Sequence, residues 1–229
     1  MQNKRHFIIL IVAMALFTGV RAYRMFGIGH NSQLDKLDSA QIQQERQNAS
    51  AGMTEFKYFC ADGGPHIVIP ESLLKSWTGA SNLVDILDPK TDYGRACAVS
   101  QPMGMLTVAD GQALVLAGSP PMSAWRPLPD GRGVDVFVLE SWNDQNLDAL
   151  IKRAIAATPD EKMTDTGVSW KIDADNLMLM FAGESGAGNS SAYGILPMKI
   201  TRGTYSIFKM QYDEAKGSVS IFRIRSNSK

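Results

Sequence analysis

Ser185 lies in Gly183-Glu184-Ser185-Gly186-Ala187, directly after the strand-like run Leu177 to Phe181. A serine on a tight turn behind a strand imitates the nucleophile elbow of serine hydrolases. That elbow needs an acid and then a histidine further along the chain, and no histidine follows His66. Gly186, Gly188, Asn189 and Ser190 therefore read more simply as a flexible loop. Ser72-Leu73-Leu74-Lys75 has the Ser-x-x-Lys spacing of penicillin-recognising enzymes, without the two companion elements those enzymes need. Residues three apart share a helical face in any case. Cys60 and His66 flank the turn Gly63-Gly64-Pro65, which could bring a thiolate to an imidazole base. The plainer reading has Cys60 as a small strand residue and His66 facing solvent beside the turn.

Binding chemistry fares little better. Gly63, Gly64 and Gly79 hint at a phosphate cradle, but no Gly-Lys-Ser/Thr follows, and Glu71 at the next helix start would repel a phosphate. With two cysteines and three histidines (His6, His30 and His66), a four-thiolate zinc site is out of reach. Asp85, Asp88 and Asp92 lack the alternating spacing of a calcium loop. No catalytic residue, metal or cofactor is expected. The three aspartates are instead candidate partner contacts, because rim carboxylates steer association, and the loop from Gly183 to Ser191 is a second candidate. Trp77, Tyr93 and Trp125 read as core or turn-anchoring residues. Cys60 and Cys97, 37 residues apart, could close a disulfide contributing about 3–4 kcal/mol on the chain-entropy model; two buried, unlinked cysteines are the alternative.

The elements that must carry these residues are mostly strands. Phe56 to Cys60, Ile67 to Ile69, Met105 to Val108, Ala113 to Leu116 and Val134 to Leu139 form a first set. Val168 to Ile172, Leu177 to Phe181, Ile195 to Ile200, Tyr205 to Tyr212 and Val219 to Ile224 form a second. Asp110-Gly111 marks a hairpin in which Gly supplies a positive φ. Arg202-Gly203 and Lys216-Gly217 suggest two more. A short helix near 70–77 opens with Pro70 and stops before Gly79. The loop holding Asp85, Asp88, Pro89 and Asp92 leads into Arg95 to Val99. One amphipathic helix near 144–157 is marked by Leu147, Leu150, Ile151, Ala154 and Ile155, with Asn143 or Asp144 to cap it and Thr158-Pro159 to end it. The fold class is α+β, β-rich, with mainly antiparallel sheet. Residues 55–229 form one unit, although a two-lobed form divided near residue 142 remains open.

The front of the chain is different. Lys4 and Arg5 precede an uncharged apolar run of 14 residues, Phe7 to Val20, followed by Arg21-Ala22. As a helix that run spans about 21 Å, short of a hydrocarbon core of roughly 30 Å. Residues 1–22 therefore read as a signal peptide cleaved after Ala22, or otherwise as a signal anchor. Either puts the rest outside the cytoplasm, in the periplasm, free or tethered to the inner membrane. Residues 23–54 form a polar tether rich in Gln, Asn and Ser. The whole chain has 229 residues and balances 23 Lys and Arg against 23 Asp and Glu. Beyond Ala22 the balance is 20 against 23, a net charge of −3. No basic excess recommends a nucleic-acid partner.

Several blocks in order resemble one family. Cys60 to Gly79 carries Gly63-Gly64-Pro65, Pro70-Glu71-Ser72 and Trp77-Thr78-Gly79; Asp92-Tyr93-Gly94-Arg95-Ala96-Cys97 follows, then Gly111 to Leu116 and Pro120, Pro121 and Trp125. This pattern is similar to that of the immunity protein 21 family, closely from Phe59 to Trp125 and more loosely around Gly203-Thr204-Tyr205. The resemblance implies an immunity protein of a bacterial polymorphic toxin system, a small binder of a cognate toxin, and carries over no catalytic residue. The export signal, the tether and Cys60 at a strand end depart from the family pattern. The first of these suggests a toxin acting in the envelope. A membrane-tethered periplasmic assembly factor, or a hydrolase with an unrecognised site, are the competing readings.

Overall fold

Neighbouring residues along Val134–Leu139 point to opposite faces of a strand, so a run this apolar must be covered on both sides. The computed structural model describes residues 55–61, 64–80, 88–100, 102–142, 146–187, 194–215 and 217–228, apart from the Trp142 side chain. It supplies both covers. The signal, the tether, Gly63, Asp85 and residues 188–191 lie outside the described residues.

Eleven strands are found among the described residues: β1 Lys57–Cys60, β2 His66–Pro70, β3 Met103–Val108, β4 Gly111–Leu116, β5 Met122–Pro127, β6 Gly133–Trp142, β7 Thr164–Ile172, β8 Asn176–Phe181, β9 Leu196–Lys199, β10 Gly203–Glu214 and β11 Gly217–Ser226. Helix α1 spans Asp92–Cys97 and α2 Leu147–Ala157, with 3-10 turns at Glu71–Ser76 and Asp160–Lys162. The first sheet has the order β1-β5-β6-β11-β10-β7 and the second β3-β4-β2-β8-β9. All pairings are antiparallel. Strands from both sides of residue 142 pair in each sheet, β2 with β8 and β6 with β11, so the two-lobed alternative is not formed.

Val134, Val136, Phe222 and Ile224 of the first sheet meet Val68, Leu114 and Leu179 of the second in one buried cluster. The outer face of the second sheet, with Ile67, Ile69 and Val115, is covered by Leu73, Trp77, Tyr93 and Ala96. On the outer face of the first sheet, Phe137 meets Phe56 edge to face at 5.5 Å. Helix α2 buries Leu147, Leu150, Ile151 and Ala154. It is tied to this sheet by the Tyr58 hydroxyl donating to Asp148 and by Arg153 pairing with Glu214 at 2.6 Å.

Local details differ from the sequence reading. The Asp110-Gly111 hairpin forms, but the positive φ belongs to Ala109, at 49°. Gly111 is needed for space instead: a Cβ there would lie 2.5 Å from Leu73 Cδ1. Arg202-Gly203 makes no hairpin, because it carries the chain from β9 of one sheet to β10 of the other. The Lys216-Gly217 hairpin does form, closing at Glu214↔Gly217. Asn146, rather than Asn143 or Asp144, caps α2, its side chain accepting the Ala149 N–H at 3.0 Å. The helix ends at Thr158 as expected. Pro70 closes β2 and precedes a 3-10 turn rather than opening a helix. The loop at Asp92 is helix α1, capped by the Thr91 hydroxyl accepting the Gly94 N–H at 3.0 Å.

Candidate functional site

Of the sequence blocks, Trp77, Tyr93 and Ala96 pack on the outer face of the second sheet, whereas Leu114, Leu116 and Trp125 lie between the sheets. Trp77 is fully buried, and its Nε1–H donates to the Ala182 carbonyl at 2.9 Å. The Tyr93 ring packs edge-on against Phe181 at 5.7 Å. Gly64 sits at φ +84°, and a Cβ there would come within 2.6 Å of the Tyr93 hydroxyl. The Pro65 carbonyl accepts the Ala182 N–H, and Pro70 stands opposite Leu177 in the ladder. Asp92 Oδ2 accepts the Thr78 N–H at 2.7 Å and the Thr78 hydroxyl at 2.9 Å, while Oδ1 takes the Arg95 guanidinium. Arg95 also donates to the Thr107 carbonyl at 2.9 Å. Burial alone would raise the Asp92 pKa; these donors outweigh it and hold the carboxyl below its ordinary value.

Asp92, a candidate partner contact, is buried and accepts from Thr78 and Arg95. Asp88 is half-buried, with Oδ1 accepting the Lys90 N–H, a local turn bond. The first part of the 183–191 loop is hydrogen-bonded to neighbouring segments. Gly183 accepts the Ala80 N–H and Gly186 donates to the Trp77 carbonyl, both at 2.9 Å. Ser185 is an exposed turn residue whose hydroxyl accepts the Ala187 N–H. Ser72 and Lys75 are both on the surface. Cys60 and Cys97 are thiols, not a disulfide. Cys60 is buried at the end of β1 opposite Met122, whereas Cys97 is exposed at the end of α1, where partial desolvation pushes the thiol pKa up. The alternative of two buried cysteines is met only by Cys60.

His66 overturns the expectation of a solvent-facing histidine. It is fully buried, its ring 4.9 Å from that of Phe59, and its Nδ1 lies 2.8 Å from the Ser123 hydroxyl across the sandwich. Burial drives its pKa down to about 3, so it is neutral at ordinary pH. A serine beside a histidine has the right atoms for nucleophilic catalysis. Yet both side chains are completely shielded, and among the described residues Nε2 meets no hydrogen-bond partner. A substrate carbonyl cannot reach the hydroxyl, so the pair is an inter-sheet polar contact. Ser123 was absent from every sequence candidate because a serine inside β5 carries no chemical signal of its own.

The outer face of the first sheet carries a second arrangement invisible in the sequence. Asp135 is fully buried and accepts from Arg223 Nε at 2.7 Å and Nη2 at 3.1 Å, with Arg126 Nη2 at 3.4 Å. Arg223 also reaches Asp160, which pairs with Arg225 at 2.6 Å; Arg225 in turn holds Asp130 at 2.7 Å. The alternating signs pin the 3-10 turn at Asp160 to β11. Among the described residues no three His, Cys, Asp or Glu side chains converge as metal ligands.

The described residues form a β-rich α+β scaffold of two antiparallel sheets. The family model for immunity protein 21 matches residues 57–217, and the chain belongs to that family. No curated protein and no solved structure matches it.

Proposed function

We propose that this chain is an exported immunity protein that neutralises one cognate bacterial toxin by binding it directly. The observation that carries the reading is the family match over residues 57–217. The burial of motif residues supports it: Trp77, Tyr93 and Asp92 are buried and build the scaffold. Inhibition then comes from occlusion, with an apolar anchor inside a polar rim and charge complementarity raising the on-rate. Neutral His66 and Ser123 give no support to hydrolysis, because neither meets solvent.

The basic n-region at Lys4 and Arg5 and the apolar run to Val20 support delivery to the periplasm, with residues 23–54 as a spacer. The toxin would then act in the envelope. The test is co-expression with any toxin domain that an adjoining gene encodes. Rescue of growth and co-purification of the two chains support the reading, and growth arrest with no complex overturns it. The mass of the exported chain separates cleavage after Ala22 from an intact anchor.

A further inference from the structure

The first sheet outruns the second. β6, β10 and β11 have 10, 12 and 10 residues, against four to six for the strands of the second sheet. Pairing of β7 with β10 stops at Thr164↔Lys209. The β10–β11 ladder continues without a register shift to Glu214↔Gly217. Among the described residues, no strand pairs with the other side of Met210–Asp213. A groove of about 200 Å³ runs beside this edge, lined by Thr164, Lys209, Met210, Gln211, Ser220 and Phe222, with Pro102 across it.

Exposed sheet edges attract other strands, and proteins usually blunt them. The four marginal strands of the two sheets are blunted. β7 has an irregular register, a positive φ of 71° at Gly167 and the Thr166 hydroxyl bonded to the Ile207 carbonyl. β9 is four residues long and contains Pro197, and β1 is four residues long and carries exposed Lys57. On β3 the Thr107 carbonyl is taken by Arg95. Met210–Asp213 has none of these devices. Four extended residues offer about 13 Å of backbone, enough for a short added strand.

The charge around the edge selects the occupant. Glu140, Asp165 and Asp213 are exposed acids on this part of the sheet, and Lys209 is the cation lining the groove. Glu214 is matched by Arg153. Asp213 accepts from Ser218 at 2.6 Å and from Gln211 at 3.2 Å, bonds that favour its ionised form. Glu140 accepts from the Ser220 hydroxyl at 2.7 Å. The surplus is negative and fixed in place by hydrogen bonds.

We propose that Met210–Asp213 is an open docking edge that accepts an extended, basic segment of the toxin as an added strand. Backbone bonds would supply the affinity, and the acidic rim the sign preference. This rests on the toxin-binding reading above and adds where the toxin sits. Hydrogen–deuterium exchange of the full chain, with and without any toxin domain that an adjoining gene encodes, tests the proposal. The amides of Met210–Asp213 should gain protection, and Glu140→Lys with Asp213→Lys should weaken binding about tenfold, mostly through slower association, at an unchanged melting midpoint. Toxin binding with protection elsewhere, and the charge-reversed chain binding as well as the native one, would overturn this edge and leave the immunity reading standing. No binding by the native chain would overturn both.

Discussion

His66 Nδ1 and Ser123 Oγ, 2.8 Å apart, are a polar contact running between the two sheets inside a sealed apolar core. The contact joins β2 to β5, strands 57 positions apart in sequence at these residues, and it tolerates only the neutral imidazole.

That neutrality gives a pH dependence. The His66 pKa is near 6.5 unfolded and about 3 folded. Its contribution is fully present above pH 6.5 and is lost as pH falls from there towards 3. Between pH 7 and 4.5 the native chain should lose about 2–3 kcal/mol through this group. Urea unfolding at both values checks this, with His66→Leu expected to flatten the difference. Ser123→Ala should cost about 1–3 kcal/mol at pH 7, since it leaves Nδ1 buried without its partner.

Asp92 separates scaffold from contact surface. Asp92→Ala strips the acceptor from Thr78 and from Arg95 and should cost about 1–3 kcal/mol. Affinity for the toxin, measured well below the lowered melting midpoint, should stay within about twofold of the native value. A large loss of affinity with normal stability would return Asp92 to the contact surface.

The Asp135–Arg223 pair should show the asymmetry of buried charges. Asp135→Ala leaves Arg223 buried with Asp160 as its remaining acid and should destabilise by about 3–5 kcal/mol. Asp135→Leu combined with Arg223→Met should recover most of that loss. Denaturant midpoints for the single and double variants decide the point.

At the β3–β4 hairpin two small residues should respond in opposite senses. Ala109→Gly relieves a left-handed backbone at φ 49° and should stabilise by about 0.5–1 kcal/mol. Gly111→Val drives a side chain into Leu73 and should cost about 1–3 kcal/mol. Thermal melts of the two variants provide the comparison.

The strands were legible because their apolar runs are bounded by turn residues, and α2 because its apolar positions recur at helical spacing. Helix α1 was not, since six residues containing Gly94 are too short to display a period; its start depends on Thr91 capping Gly94. β5 was missed because Ser123, Arg126 and Pro127 interrupt its pattern. Trp77, Tyr93 and Trp125 were legible as core residues, and all three are buried; the surroundings of Asp92 were not legible. Whether Asp92 faces a partner or Thr78 depends on how a segment 14 positions away folds back. The same holds for His66, whose neighbour in the chain is a turn but whose neighbour in space is Ser123.

Isothermal titration of the full chain into any toxin domain that an adjoining gene encodes addresses the proposed activity most directly. One-to-one binding with a dissociation constant on the order of nanomolar or tighter, and loss of toxin activity at equivalence, is the expected result. A titration without heat, with the toxin still fully active in a tenfold excess of folded chain, would contradict it.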